Sequence, residues 1–115
     1  ITVAVAKDRA IESFMQVGEG FVVNILREDN YQKMFRHFLK RFAPGADRFA
    51  DVDVVNNIAT GGPVLSDSLA FLDCKVSSRL ETPDHWIIYG VVENGSVSDL
   101  SCKTAVHHRK VANHY

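Results

Sequence analysis

The chain has 115 residues, 46% of them hydrophobic and 23% charged, with a formal net charge of −1. That length supports one hydrophobic core rather than two, and the composition is ordinary for a globular chain. The small net charge offers no overall attraction for nucleic acid or an anionic membrane, and apolar runs such as residues 86–89 are too short to cross a bilayer.

Residues 1–6 alternate Ile1, Val3 and Val5 against Thr2, Ala4 and Ala6, the period of a strand already in progress. The chain is therefore expected to be a fragment. No charged n-region or cleavage site opens it, so a cytoplasmic rather than a secretory protein is expected. Asp8 offers an N-cap oxygen, and Ala10, Ile11, Phe14, Met15 and Val17 fall on one helical face that Gly18 and Gly20 would end. Residues 21–26 form a second strand. A second helix is predicted from Asp29 or Asn30 to Phe42, with a stripe of Met34, Phe35, Phe38, Leu39 and Phe42, stopped by Pro44-Gly45. Val52, Val54 and Val55 suggest an edge strand, and residues 60–63 a loop.

From residue 70 the pattern is clearer. Ala70, Leu72, Cys74, Val76 and Leu80 share one face, and Asp73, Lys75, Ser77, Arg79 and Glu81 the other, as in an antiparallel strand with one wet side. Residues 82–84 turn the chain, and residues 86–92 are apolar on both faces, as in a central strand. Asn94-Gly95 predicts a hairpin, because both residues tolerate positive φ, and residues 97–106 return as a weaker strand. Strands dominate and long βαβ crossovers are absent after residue 45. The expected fold is mainly β, a small antiparallel barrel with two inserted helices.

Three places could carry chemistry. Lys7-Asp8-Arg9-Ala10 joins a strand end to a predicted helix start, where free N–H groups and two cations suit a phosphate; a capped surface helix with solvated charges has the same residues. Asp84-His85 sits at a hairpin mouth, where a histidine can donate a hydrogen bond, bind a metal or steer a redox ring, or simply end a turn. The basic helix face of Lys33, Arg36, His37, Lys40 and Arg41 is either solvated or a docking surface for an acidic partner. His107-His108 lacks i, i+4 spacing and a nearby cysteine, so no metal site is expected there. Cys74 and Cys102 have no CxxC spacing and read as reduced thiols rather than a disulfide. No GxGxxG or Walker sequence is present.

Taken together, the ordered segments Ile-Thr-Val-Ala-Val-Ala-Lys-Asp-Arg (1–9), Phe-Val-Val-Asn-Ile-Leu (21–26), Asp-Arg-Phe (47–49), Gly-Pro-Val-Leu-Ser-Asp-Ser-Leu-Ala-Phe-Leu-Asp-Cys (62–74) and Asp-His-Trp-Ile-Ile-Tyr-Gly-Val-Val (84–92) resemble the flavin reductase family across nearly the whole chain. Residues 35–42 and 104–110 are further similar to the C-terminal module of cyanobacterial flavodiiron proteins, in which a diiron domain and a flavodoxin-like domain come first. The resemblance implies an FMN-binding split β-barrel, dimeric, accepting hydride from NAD(P)H, with FAD as the alternative flavin. By position, Lys7, Arg9 and Ala10 would hold the flavin phosphate, Arg48 and Phe49 would lie beside the flavin or its ribityl chain, and Asp84 and His85 would face the flavin–nicotinamide stack, with His85 the catalytic residue. The whole of 1–115 would be one such domain, lacking the family's first strand and its Ser/Asn-Pro loop. The family's usual Gly before Asp-His is here Pro83, which stiffens the turn. The implied function is an NAD(P)H:flavin oxidoreductase module feeding a diiron centre that reduces oxygen to water. The alternatives are a split barrel that holds flavin or haem without hydride transfer, or a docking domain for an acidic electron donor.

Overall fold

The computed structural model describes residues 1–55 and 61–106. Strand β1 (Thr2–Ala6), β2 (Gly20–Ile25), β5 (Ala70–Glu81) and β6 (His85–Val97) make one antiparallel sheet in the order β1-β6-β5-β2. The sheet curls into a half-barrel, and helix contributes little, so the expected mainly-β fold is observed. β3 (Val54–Val55) and β4 (Val64–Leu65) pair separately, which is the edge strand anticipated near residue 52.

The β5–β6 hairpin dominates, as its alternation predicted. Thr82 closes the turn: its N–H and Oγ1 both donate to the His85 carbonyl, at 2.9 and 2.7 Å, and its Oγ1 accepts from the His85 N–H at 3.0 Å. Two departures follow from bulges. Pairing slips between Val76 and Ser78, leaving Ser77 extra on β5, and between Asp73 and Cys74, leaving Glu93 extra on β6. An extra residue reverses the alternation beyond it. Leu80, expected inside, is therefore 66% exposed, while Arg79, expected on the wet face, turns inward with a side chain only 10% exposed. The second slip carries β6 straight through Asn94-Gly95 to Val97, so the expected hairpin there does not form: β5 continues far enough to pair with both residues, and that ladder outweighs a local turn preference. Nor is there a strand over 97–106. Residues 103–105 rejoin the sheet only beside Leu26–Glu28, through an isolated bridge between Arg27 and Thr104.

Both inserted helices are shorter than predicted. The first is a five-residue 3-10 turn, Ala10–Phe14, closed by i→i+3 bonds. Asp8 does not cap it; Arg9 occupies that position without a side-chain bond. Of the expected stripe only Met15 is buried, because the chain touches the sheet there and leaves Ile11, Phe14 and Val17 exposed. Gly18, at φ +91°, then docks the chain on β5, donating to the Val76 carbonyl at 2.9 Å. The second insertion, α1, spans Tyr31–Phe38 and stops four residues before Phe42, with Met34 as its buried contact.

The core has two parts. Val5, Met15, Phe21, Cys74, Val76 and Ile88 fill the concave face of the sheet. Met34, Val52 and Leu65 form a second cluster under α1, joined by Phe38 and Phe49. The other side of β6 is less covered than a central strand apolar on both faces would suggest, with Tyr89 and Val91 exposed. Thr60 and residues 107–110, the latter including His107-His108, lie outside the described residues.

Candidate flavin site

Pairing of β1 with β6 places Ala6 opposite His85, and the Lys7 N–H donates to the Asp84 carbonyl at 3.0 Å. Two stretches far apart in sequence thus meet at one end of the sheet. Lys7 Nζ is 2.7 Å from Glu81 Oε1 and 5.3 Å from the centroid of Trp86. Arg9 is more exposed and lies 3.7 Å from Asp8. The His85 ring, 42% exposed at its side chain, places Nδ1 3.0 Å from Asp84 Oδ1. That hydrogen bond holds the Asp84 carboxyl below the usual carboxylate range.

Arg48 and Phe49 belong to a second group, under α1. Asp47 Oδ1 accepts the Phe49 N–H at 2.8 Å, an Asx turn that aims Phe49 inward, where its ring centroid lies 5.3 Å from that of Phe38. Arg48 sits 5.5 Å from the Phe42 ring, and its carbonyl is 2.8 Å from His37 Nε2. His37 is thereby drawn away from the basic face, whose Lys33, Arg36, Lys40 and Arg41 remain exposed.

A groove lies between the 3-10 turn and Phe49. A cavity of about 420 Å³ runs across β2, walled by Ile11 and Phe14 of the 3-10 turn, Phe21 and Val22 of β2, and Phe49. Its floor is shaped by a close crossing: a Cβ on Gly61 would lie 2.4 Å from Gly20 C, so the loop can pass over β2 only as glycine. Asp73 Oδ1 accepts the Gly61 N–H at 2.9 Å, and Asn24 donates to the Pro63 carbonyl at 3.0 Å, holding the loop there. An apolar groove of that size, with cations immediately before its first wall residue, fits a flat aromatic ring carrying an anionic tail. Of the expected site residues Phe49 lines the groove and Ala10 precedes its wall residue Ile11 in sequence; Lys7, Asp84 and His85 meet at one end of the sheet, and Arg48 lies beside Phe42 and His37.

The Flavin reductase like domain family matches residues 1–114. The chain belongs to that family. Diflavin flavoprotein A 1 of Synechocystis sp. is 61% identical over 114 residues, covering 99% of this chain and 20% of its relative. The flavin reductase-like domain thus spans about a fifth of the length of the curated relatives it matches. Among solved structures, the NADH:FAD oxidoreductase SgcE6 of Streptomyces globisporus has 27% identity and a TM-score of 0.78, covering 90% of this chain and 60% of that one. The styrene monooxygenase flavin reductase of Pseudomonas putida S12 has 25% identity and a TM-score of 0.64, covering 90% and 62%. Fold and family together are those of a flavin-binding oxidoreductase domain. No helix among the described residues is long and apolar enough to cross a membrane.

Sequence reasoning missed the group around Trp86 in this flavin reductase-like domain. Arg79 and Glu81 are both expected on the solvent side, and Glu12 and Gln16 carry no expectation. The paired small residues Ser77-Ser78 are the only local sign that β5 changes phase there.

Proposed function

We propose that this chain is an NAD(P)H:flavin oxidoreductase module that binds FMN, or FAD in its place, and passes electrons to a diiron centre in a larger flavodiiron protein, where oxygen is reduced to water. The observation that carries the reading is the family match across residues 1–114, supported by relatives named as diflavin flavoproteins that are about five times longer. That extra length leaves room for the diiron and flavodoxin-like domains as partners. The protein would work in the cytoplasm.

Lys7 and Arg9, with the backbone at Ala10, would hold the flavin phosphate. A five-residue turn brings little dipole of its own, so the binding rests on the two side-chain charges. The groove between Phe14 and Phe49 would take the ring and exclude water, with Arg48 beside the ribityl chain. Bound flavin supplies the ring that accepts hydride from NAD(P)H. His85, steadied by Asp84, would orient the nicotinamide at that face or balance charge as hydride moves. Leu80, Tyr89 and Val91, exposed on the outer face of the β5–β6 hairpin, support association as a twofold dimer.

An absorption spectrum of the full protein should show oxidised-flavin bands; a haem band, or no colour, would favour a haem-binding or a docking role. In stopped-flow reduction at saturating FMN, His85→Ala should slow NAD(P)H-dependent reduction by about tenfold to a hundredfold, roughly 1.4 to 2.7 kcal/mol. An unchanged rate, or a defect cured by excess FMN, would remove His85 from the chemistry.

A further inference from the structure

The 3-10 turn supplies the first wall of the groove but has little to hold it in place by itself. None of its five residues is buried and no side chain caps it. So short a turn is not stable alone, and its position is decided by what grips it from outside. Beyond the burial of Met15 just after it, the grip comes chiefly from one side chain of β5. Arg79 donates through Nη2 to the Glu12 carboxylate and through Nη1 to Gln16 Oε1. Its guanidinium carbon lies 4.1 Å from the Trp86 ring centroid, and its side chain is only 10% exposed. On the same strand Glu81 holds Lys7 at the other end of the segment, with Lys7 against the same indole. β5 thus clasps residues 7–16 at both ends around Trp86.

The Arg79 arrangement is a poor choice for stability alone. Its Nε is buried with no hydrogen-bond partner among the described residues. Leaving such a donor unsatisfied is costly, and an apolar side chain of similar volume would commonly stabilise as much or more. What an arginine adds is geometry: its planar fork reaches a carboxylate and an amide while stacking on an indole, which an ammonium cannot do.

We infer that Arg79 is a positioning residue for the flavin phosphate. By fixing Glu12 and Gln16 it sets where Lys7 and Arg9 stand relative to the groove, and so makes the site discriminate FMN from riboflavin, which has the ring without the phosphate. This rests on the proposed placement of the phosphate at Lys7 and Arg9.

The test is a fluorescence titration of the full protein with FMN and, separately, riboflavin, in wild type, Arg79→Ala, Arg79→Lys and Lys7→Ala, with circular dichroism to confirm folding. Arg79→Ala should weaken FMN binding about tenfold, the scale of one charge-assisted contact mis-set, and riboflavin binding by less than about twofold. Arg79→Lys should stay close to Arg79→Ala, and emission from Trp86, the one tryptophan, should shift in both. If Arg79→Ala does not fold, Glu12→Gln takes its place, keeping an acceptor for the guanidinium while removing the charge, with a smaller loss confined to FMN. Equal losses for FMN and riboflavin, or full recovery with lysine, would make Arg79 merely structural and overturn the inference. Loss of FMN in Lys7→Ala with none in Arg79→Ala would overturn it while leaving the phosphate site standing. No loss in Lys7→Ala would instead remove the phosphate placement, and the inference with it.

Discussion

Gly90→Ala is a small change with a consequence fixed by the packing. Gly90 lies on β6 opposite Val76, over the inner face of the sheet. A Cβ there would sit 2.6 Å from Cζ and 2.8 Å from Cε1 of Phe21, against the roughly 3.5 to 4.0 Å at which carbon atoms attract. The ring would have to move by about an ångström, yet Phe21 is only 9% exposed and is packed among Met15, Cys74, Val76 and Ile88. Overpacking of this kind costs about 1 to 3 kcal/mol. Gly90 is not among the residues at positive φ, so alanine meets no backbone strain and recovers about 0.5 to 1 kcal/mol of chain entropy. The net expectation is destabilisation of about 1 to 2 kcal/mol, or a Tm lowered by roughly 4 to 8 °C for a domain of this size. Urea unfolding followed by Trp86 fluorescence measures it. Phe21→Leu alone should cost about 1 to 2 kcal/mol, and the double variant should be little worse than Phe21→Leu, a coupling of about 1 to 2 kcal/mol. A neutral Gly90→Ala, or strict additivity of the pair, would mean that the glycine is not there to admit the ring.

The Asp84 carboxyl is held low by the His85 hydrogen bond, so its contribution is present above the ordinary carboxylate range and is lost as pH falls through that range to the depressed folded value. Asp84→Asn should therefore show a shallower loss of urea midpoint between about pH 6 and pH 3 than wild type, and identical profiles would refute the pairing. Burial raises the Cys74 thiol, whereas Cys102 is half-buried near the surface; one thiol should react promptly with a disulfide reagent and the second only on unfolding, and two equal rates would contradict the packing. Gly61→Ala should disrupt the loop crossing over Gly20, while Gly62→Ala, whose Cβ would meet nothing closer than 3.7 Å, should be nearly neutral in thermal melts.

Much of this architecture is written in local pattern. The alternation over residues 70–76, the apolar run 86–92 and the Pro83-Asp84 turn fix a hairpin, because side chains on a strand must alternate between wet and dry faces whatever surrounds them. The ordered segments also carried the family, whereas the pairing of the Lys7 and His85 regions at one end of the sheet came only with the fold. What local pattern could not set was phase and length. The bulges at Ser77 and Glu93 come from matching two long strands on a curled sheet, and they turn Arg79 inward, Leu80 outward, and Asn94-Gly95 from a turn into a ladder. The helical spacing of residues 10–17 is real, but only Met15 finds the core, because the path from β1 to β2 allows one tight turn and no more. A strand partner, a core contact and a buried ion pair each come from residues distant in sequence, so only the folded chain could decide them.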